Sequence, residues 1–177
     1  MSYKILPLLI LGLAIGCSAH LPEKNPTAAL TNVQLGLAYL EQGNVQRSKN
    51  KLLLALEQNS RSSVAWGAMG YYLETTGHLE MAETYYKKAI QLSPKSGPAL
   101  NNYGAFLCRK GDYQAAEQYF MMALKDVTYT KFAEVYENAA LCALEAKEYS
   151  KAKQYFSKAL IEDPNRITAL MELRKIE

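Results

Sequence analysis

The sequence has little of what catalysis or metal binding requires. Its 177 residues include only two histidines and three cysteines. The histidines, His20 and His78, lie far apart in the chain, and we interpret both as solvated side chains. The glycine-rich phosphate-binding motifs and the GxSxG serine motif are absent. We therefore expect a protein that is not an enzyme and that uses no metal, no cofactor and no small-molecule substrate.

Charge and long apolar runs are also scarce. Twenty basic and 17 acidic residues give a net charge of +3, which is too weak to indicate a nucleic-acid partner. A bilayer-spanning helix needs about 20 apolar residues, and the longest apolar stretch, residues 5–15, has eleven. The hydrophobic fraction of 49% excludes a disordered chain. We expect a folded, ordinary globular domain.

The N-terminus has the pattern of an export signal. Lys4 precedes the apolar stretch, and Cys17 follows Ala14-Ile15-Gly16, which resembles the bacterial lipobox. We predict a lipoprotein signal peptide over residues 1–16, lipid attachment at Cys17, and a tether over 17–28. Ala14 stands where such motifs usually carry leucine, so an ordinary secretory signal is the alternative. Ser18 after the cysteine resembles the pattern of outer-membrane lipoproteins and predicts a place on the periplasmic face of the outer membrane.

The rest of the chain repeats every 34 residues. Four windows align, 29–62, 63–96, 97–130 and 133–166. With places counted from the first residue of each window, place 8 holds glycine or alanine. Place 20 is small, place 24 is bulky and place 27 is alanine in every window. In window order, place 8 holds Gly36, Gly70, Gly104 and Ala140, and place 20 holds Ser48, Ala82, Ala116 and Ala152. Place 24 holds Leu52, Tyr86, Phe120 and Phe156, and place 27 holds Ala55, Ala89, Ala123 and Ala159.

This pattern resembles the tetratricopeptide repeat (TPR), in which each repeat is an antiparallel pair of helices, A and B. The resemblance implies an all-α fold, a right-handed superhelix of about four repeats. Residues 167–177 begin another helix A and are expected to form a partial fifth repeat or a capping helix.

Two cysteines fall on A helices of neighbouring repeats. Because successive A helices of a TPR superhelix lie side by side, Cys108 and Cys142 could come within disulfide distance. An exported protein would meet an oxidising compartment. The alternative is that both are buried free thiols that pack as small hydrophobic side chains.

TPR geometry also suggests a binding surface, the concave groove lined by A helices. Its N-terminal end is predicted to be apolar and its C-terminal end acidic, with Glu134, Glu137 and Glu145. A peptide or an amphipathic segment of a partner would suit it; alternatively, an N-terminal segment of the same chain covers it. The predicted groove residues are Leu30, Val33, Leu37, Leu40, Val64, Tyr71 and Asn101.

The run from Asn101 to Leu107, followed by Gly111 and combined with the lipobox cysteine, resembles the type IV pilus pilotins of the PilF/PilW family. The resemblance implies an outer-membrane lipoprotein that binds the pilus secretin and promotes its localisation or multimerisation. No nucleic-acid partner is expected. Two other classes stay open. One is a general periplasmic TPR scaffold for envelope assembly or peptidoglycan hydrolase recruitment. The other is a cytosolic chaperone adaptor, which would need a carboxylate clamp of Lys, Arg and Asn.

Overall fold

A computed structural model describes residues 25–176, and this part of the chain is entirely helical, without strands. The signal peptide predicted for 1–16, Cys17 and most of the predicted tether lie outside the described residues. None of the described helices is long and apolar enough to cross a bilayer. The helices are α1 Pro26–Glu41, α2 Val45–Gln58, α3 Ser63–Thr75, α4 Leu79–Leu92, α5 Gly97–Arg109, α6 Tyr113–Ala123, α7 Phe132–Glu145, α8 Tyr149–Glu162 and α9 Ile167–Lys175.

The helices form four antiparallel pairs and one additional helix. Each of α1, α3, α5 and α7 packs mainly against the helix that follows it, and α1, α3 and α5 each also contact the next odd-numbered helix along the chain. Helices α1, α3, α5 and α7 therefore form one continuous layer, and their partners α2, α4, α6 and α8 lie on its other side. This arrangement confirms the predicted all-α TPR solenoid.

Each pair is held by a small residue at place 8 facing a bulky residue at place 24. A Cβ added to Gly36 would lie 2.7 Å from the Leu52 side chain, and one added to Gly104 would lie 2.9 Å from the Phe120 ring. The bulky residues at place 24 are 0–1% exposed in all four pairs. The missing side chain therefore lets the two helices approach closely enough to bury the large one.

The turn within each pair requires a left-handed residue. Glycine recurs at place 15 of the first three windows, and these residues, Gly43, Gly77 and Gly111, follow the A helices with φ of +72°, +83° and +86°. In the fourth pair this place is Lys147, with φ of +61°. A side chain in this region costs about 1 kcal/mol relative to glycine, so the fourth turn is the most strained of the four.

Helix α1 begins earlier than predicted. The tether was expected to reach residue 28, but Pro26, Thr27 and Ala28 already belong to α1. Asn25 caps this helix because its Oδ1 accepts a hydrogen bond from the Ala28 N–H at 2.9 Å. Proline is favoured in the first helical turn. The Asn-Pro pair thus starts the helix three residues before the first repeat window.

The junction between the third and fourth pairs is irregular. Helix α6 has 11 residues where α2, α4 and α8 have 14. In the segment that follows α6, Asp126 Oδ2 accepts a hydrogen bond from the Gly97 N–H at 2.7 Å. The Tyr129 ring covers Gly97 so closely that an added Cβ would lie 2.3 Å from it. This loop therefore replaces the missing turn of α6 as the cover for the start of α5.

Helix α9 packs on α8 through a narrow strip. Ala169 is fully buried, and Leu173 and Ile176 pack on the cluster around Phe156. On its other side, Ile167 is 71% exposed and Met171 is 55% exposed. Helix α9 thus covers the end of the core formed by the fourth pair.

Ser48 generates a test of this packing scheme. It is fully buried, and its Oγ has no hydrogen-bond partner within residues 25–176. The equivalent residues of the other pairs, Ala82, Ala116 and Ala152, are also fully buried. Because an unpaired buried hydroxyl costs about 1–3 kcal/mol, Ser48→Ala should raise the free energy of unfolding by about 1 kcal/mol in urea denaturation.

The matched control for that measurement is Ser157→Ala. Ser157 lies on the partly exposed face of α8, and its Oγ donates a hydrogen bond to the Lys153 carbonyl at 2.8 Å. We expect its unfolding free energy to change by less than about 0.5 kcal/mol. A loss of stability in Ser48→Ala would show that the hydroxyl has a partner that the packing scheme does not include.

Candidate functional site: a concave groove

The odd-numbered helices enclose a groove of about 510 Å³ that extends from α1 to α7. One part of its wall is apolar, with Val33, Leu37, Val64, Ala68 and Tyr71. The opposite part, on α5 and α7, is more polar. It is lined by Asn102, Ala105, Arg109, Glu134 and Asn138. The groove therefore joins an apolar pocket to a set of hydrogen-bonding side chains.

Four of the predicted groove residues line this cavity. Val64 and Tyr71 are 49% and 43% exposed, although both are large and apolar or aromatic. Leu37 is partly exposed beside them. Val33 also lines the cavity, although it is only 3% exposed. At the contact between α1 and α3 the cavity wall is therefore mostly apolar, although Glu41 of α1 also lines it.

Three predicted groove residues lie elsewhere. Leu40 is 7% exposed and belongs to the central core, because it points between α1 and the neighbouring helices. Leu30 is 48% exposed but lies outside the cavity, one turn beyond its end. Asn101 is 1% exposed. Leu40 and Asn101 are therefore buried in contacts between helices and do not face the groove as predicted, whereas Leu30 is exposed on α1 without lining the cavity.

Asn101 holds two helices together instead of facing the groove. Its Nδ2 donates to Glu134 Oε1 at 3.4 Å, and its Oδ1 accepts from Asn138 Nδ2 at 3.2 Å. Both partners lie on α7, so Asn101 couples α5 to α7. The next residue, Asn102, is exposed on the groove wall and was missed. Successive residues of a helix point about 100° apart. Asn102 therefore faces the groove while Asn101, one residue earlier, faces α7.

An ion pair joins α3 to α5, and its arginine lines the groove. Arg109 Nη2 donates to Glu74 Oε2 at 2.9 Å, and Arg109 Nε also contacts Glu74 Oε1. The same carboxylate accepts a hydrogen bond from the Tyr86 hydroxyl at 2.9 Å. Burial of the ring and the adjacent Glu74 carboxylate raise the pKa of Tyr86 far above its ordinary value. The phenol therefore stays protonated and keeps Glu74 oriented towards Arg109.

The C-terminal end of the groove is less acidic than its sequence suggests. Glu137 forms a bidentate pair with Arg166, with Nη2 to Oε1 at 2.7 Å and Nε to Oε2 at 2.9 Å. Glu134 lies 3.6 Å from Lys131 Nζ and lines the cavity. Glu145 is exposed. Arg166 thus neutralises one of the three carboxylates and links α7 to the start of α9.

Cys108 on α5 and Cys142 on α7 are adjacent. Their Cα atoms are 5.6 Å apart, within the range that a disulfide spans, and their sulfur atoms are in bonding contact. Cys142 is 3% exposed. The pair lies towards the opposite end of α5 from Asn101, so α5 and α7 are tied at both ends.

No group of three metal-ligating side chains is brought together within residues 25–176. His78 is exposed at the N-cap of α4, and His20 lies outside the described residues.

Comparison with known families identifies the repeats. Tetratricopeptide repeat models match residues 63–96, 85–118 and 133–166. The first and last of these segments coincide with two predicted windows. The match to 85–118 runs from within α4 through α5 into the first half of α6.

Comparison with individual proteins is more specific. The type IV pilus assembly protein PilF of Pseudomonas aeruginosa is 34% identical over 141 residues, which is 80% of this chain and 56% of that protein. A solved structure of P. aeruginosa PilF matches with a TM-score of 0.77 and 33% identity, over 84% of this chain and 67% of that one. This chain belongs to the PilF family of TPR proteins.

Two further proteins are similar to this chain. An uncharacterized protein of Haemophilus influenzae is 35% identical over 132 residues, which is 75% of this chain and 74% of that protein. The crystal structure of PilW, described as a type IV pilus biogenesis factor, has a TM-score of 0.77 at 23% identity and shows the same fold. The chain spans 56% of the length of P. aeruginosa PilF.

The cysteine pair of this PilF-family chain generates a second prediction. A bridge between Cys108 and Cys142 encloses 34 residues and should stabilise the fold by roughly 3–4 kcal/mol on chain-entropy grounds. We expect the protein purified without reductant to show no free thiol among these two residues when it is denatured and titrated with a thiol reagent. The Cys17→Ala background removes the third cysteine from the count.

The control for the thiol count is the same protein after reduction, which should show two free thiols and unfold at a lower denaturant concentration. Two reactive thiols in the unreduced sample would contradict the bridge and favour a pair of buried free cysteines.

Proposed function

We propose that this chain is a non-enzymatic pilotin, a lipoprotein of the outer membrane that binds the type IV pilus secretin on the periplasmic side and promotes its localisation and multimerisation. Membership in the PilF family supports a role in type IV pilus biogenesis. The TPR fold supports a role in binding another protein. To these two roles the proposal adds the identity of the partner, the secretin, and the lipid anchor in the outer membrane.

The observation that carries the proposal is the open apolar end of the groove. Val64 and Tyr71 are almost half exposed on a concave surface next to Leu37. Exposed apolar surface of this kind marks interaction sites, and tyrosine is enriched where proteins bind each other. The groove has contributions from α1, α3, α5 and α7, so it is long enough to accept a segment of a partner chain.

The proposed anchor places this end of the groove near the membrane. If Cys17 carries acyl chains, eight residues separate it from Pro26 at the start of α1. Even fully extended, a segment of this length reaches roughly 30 Å. The apolar end of the groove would therefore stay close to the membrane, where secretin subunits must be delivered.

The proposal is tested by placing a charge in the groove. Val64→Glu puts a carboxylate into the apolar wall, and its position in the first turn of α3 favours a negative charge, so the fold should tolerate it. We expect the variant to lose most of the SDS-resistant secretin multimer and of the surface pili, although the protein accumulates normally. Leu53→Glu is the matched control, because Leu53 is 48% exposed on α2 and lies outside the groove.

Two further strains identify which part of the proposal fails. Cys17→Ala should abolish labelling with radioactive palmitate and release the protein into the soluble periplasmic fraction. If secretin multimers form normally in a strain that lacks the whole protein, the pilotin role is wrong, and the general envelope scaffold becomes the better explanation. Normal multimers in Val64→Glu alone would mean that the secretin binds a different surface.

A further inference from the structure

We propose that a cavity between α6, α7 and α8 is a binding site separate from the groove, and that it takes the ammonium or guanidinium end of an aliphatic chain. This chemistry is that of a lysine or arginine side chain of a partner protein, or of a small diffusible amine. Within residues 25–176 the cavity shares no lining residue with the groove. The inference depends neither on the secretin nor on the pilotin role.

The cavity has a volume of about 310 Å³, which is within the range of small-ligand pockets. Helix α7 forms its floor, and α6 and the first turns of α8 form its sides. The floor residues are Ala139, Cys142, Ala143 and Ala146. The side residues are Tyr113, Gln114 and Glu117 of α6, with Glu148, Lys151 and Tyr155 from the start of α8. A floor of small side chains is thus combined with charged and hydroxyl-bearing sides.

The cavity exists because α7 is small where the preceding A helices are bulky. Its floor residues stand at places 7, 10, 11 and 14 of the fourth window. At these places the second window has Met69, Tyr72, Leu73 and Thr76, and the third has Tyr103, Phe106, Leu107 and Lys110. The large side chains at the first three of these places are 0–7% exposed in both windows. The fourth pair therefore lacks the side chains that fill the corresponding space in the second and third pairs.

The equivalent space between the second and third pairs shows which chemistry is missing. There Glu83 of α4, at place 21, accepts hydrogen bonds from Lys110 Nζ at 2.6 Å and from the Tyr103 hydroxyl at 3.4 Å. Lys87 Nζ also lies 2.6 Å from this carboxylate. Hydrogen bonds from Lys110 and Lys87 lower the pKa of Glu83 to about 2. The A helix of the third pair thus supplies one hydroxyl and one ammonium group to the carboxylate of the pair before it.

Glu117 of α6 stands at the same place 21, but α7 has alanine at the two places that supply those groups. Its partners come from α8 instead. The Tyr155 hydroxyl donates to Oε1 at 2.6 Å, and Lys151 Nζ donates to Oε2 at 2.9 Å. Lys151 Nζ also lies 2.8 Å from Glu148 Oε2. The hydrogen bonds from Tyr155 and Lys151 lower the pKa of Glu117, so this carboxylate is ionised at neutral pH.

The two equivalent sites differ in charge. Glu83 is one carboxylate that contacts two lysines, whereas Glu117 and Glu148 are two carboxylates that contact Lys151. The cavity therefore carries a surplus negative charge, and it has space where the third pair supplies the lysine of place 14. A bound ammonium or guanidinium group matches that charge. Its aliphatic chain suits the alanine floor, because lysine and arginine stems pack on apolar surface while their heads stay with polar groups.

The inference is tested by titrating the purified Cys17→Ala protein with N-acetyl-lysine amide and following the backbone amide signals by NMR. We expect saturable shifts at Ala139, Ala143 and Ala146. N-acetyl-norleucine amide is the matched control, because it has an aliphatic side chain without the ammonium group, and we expect its binding to be at least tenfold weaker. Equal binding of the two compounds, or shifts from the lysine compound that avoid the cavity, would overturn the inference.

Three variants test the site itself. Ala146→Lys gives the fourth pair the lysine that Lys110 provides in the third. We expect its melting temperature to rise by about 2–4 °C and its affinity for the probe to fall at least tenfold. Ala38→Lys adds the same charge at an exposed position of α1, and its affinity should stay within about twofold of the original protein. Ala143→Leu fills the cavity without a charge and should also abolish binding. Undiminished binding by Ala146→Lys and by Ala143→Leu would show that the probe binds elsewhere.

Two further measurements identify the source of the cation. A small diffusible amine should appear in native mass spectra of the protein purified from cells as an added mass that Ala146→Lys lacks. A partner side chain should give a crosslink in living cells from a photoreactive amino acid at Gln114, on the side of the cavity, to a peptide that contains lysine or arginine. This crosslink should be lost in Ala146→Lys and kept in Ala38→Lys.

The absence of both signals would mean that the cavity has no cationic ligand in the cell, which contradicts the inference. The proposed function fails by a different result, namely normal secretin multimers in a strain that lacks the whole protein. That result would leave the cation site unaffected.

Discussion

The close contact between the small residue at place 8 and the bulky residue at place 24 is the constraint on which the rest of the structure depends. Where Gly104 faces Phe120, the pair of helices approaches so closely that one methyl group would lie 2.9 Å from the ring. Because this contact recurs in each pair, the A helices stack in one layer and the B helices in the other. The groove is the concave side of the A-helix layer, so its existence follows from packing that lies outside it.

The stacked A helices are joined differently along the groove. Glu74 and Arg109 link α3 to α5, the two cysteines and Asn101 link α5 to α7, and Arg166 links Glu137 of α7 to α9. Where α1 meets α3, the groove is lined instead by apolar side chains such as Leu37 and Val64. Polar and covalent links thus join the A helices from α3 onwards, whereas exposed apolar surface lines the groove where α1 meets α3.

Much of this fold could be predicted because the repeat positions carry it. Small and bulky residues at fixed places predict the helix pairs and the all-α class, and the recurring glycines at place 15 predict the turns. The start of α1 was misplaced because the Asn25 cap lies outside the repeat pattern. Val64 and Tyr71 line the cavity, whereas Leu40 and Asn101 are buried, since repeat position specifies a helix face only approximately and neighbouring helices decide which side chains are buried.

The central claim is that the partner occupies the groove beside α3, and site-specific photocrosslinking in living cells tests it most directly. A benzophenone amino acid can replace Tyr71, which is 43% exposed in the groove, or Tyr149, which is 57% exposed on α8 outside it. The account predicts a crosslink to the secretin from position 71 and none from position 149. A crosslink from position 149 alone, or a crosslink from position 71 only to the N-terminal segment of the same chain, would contradict it.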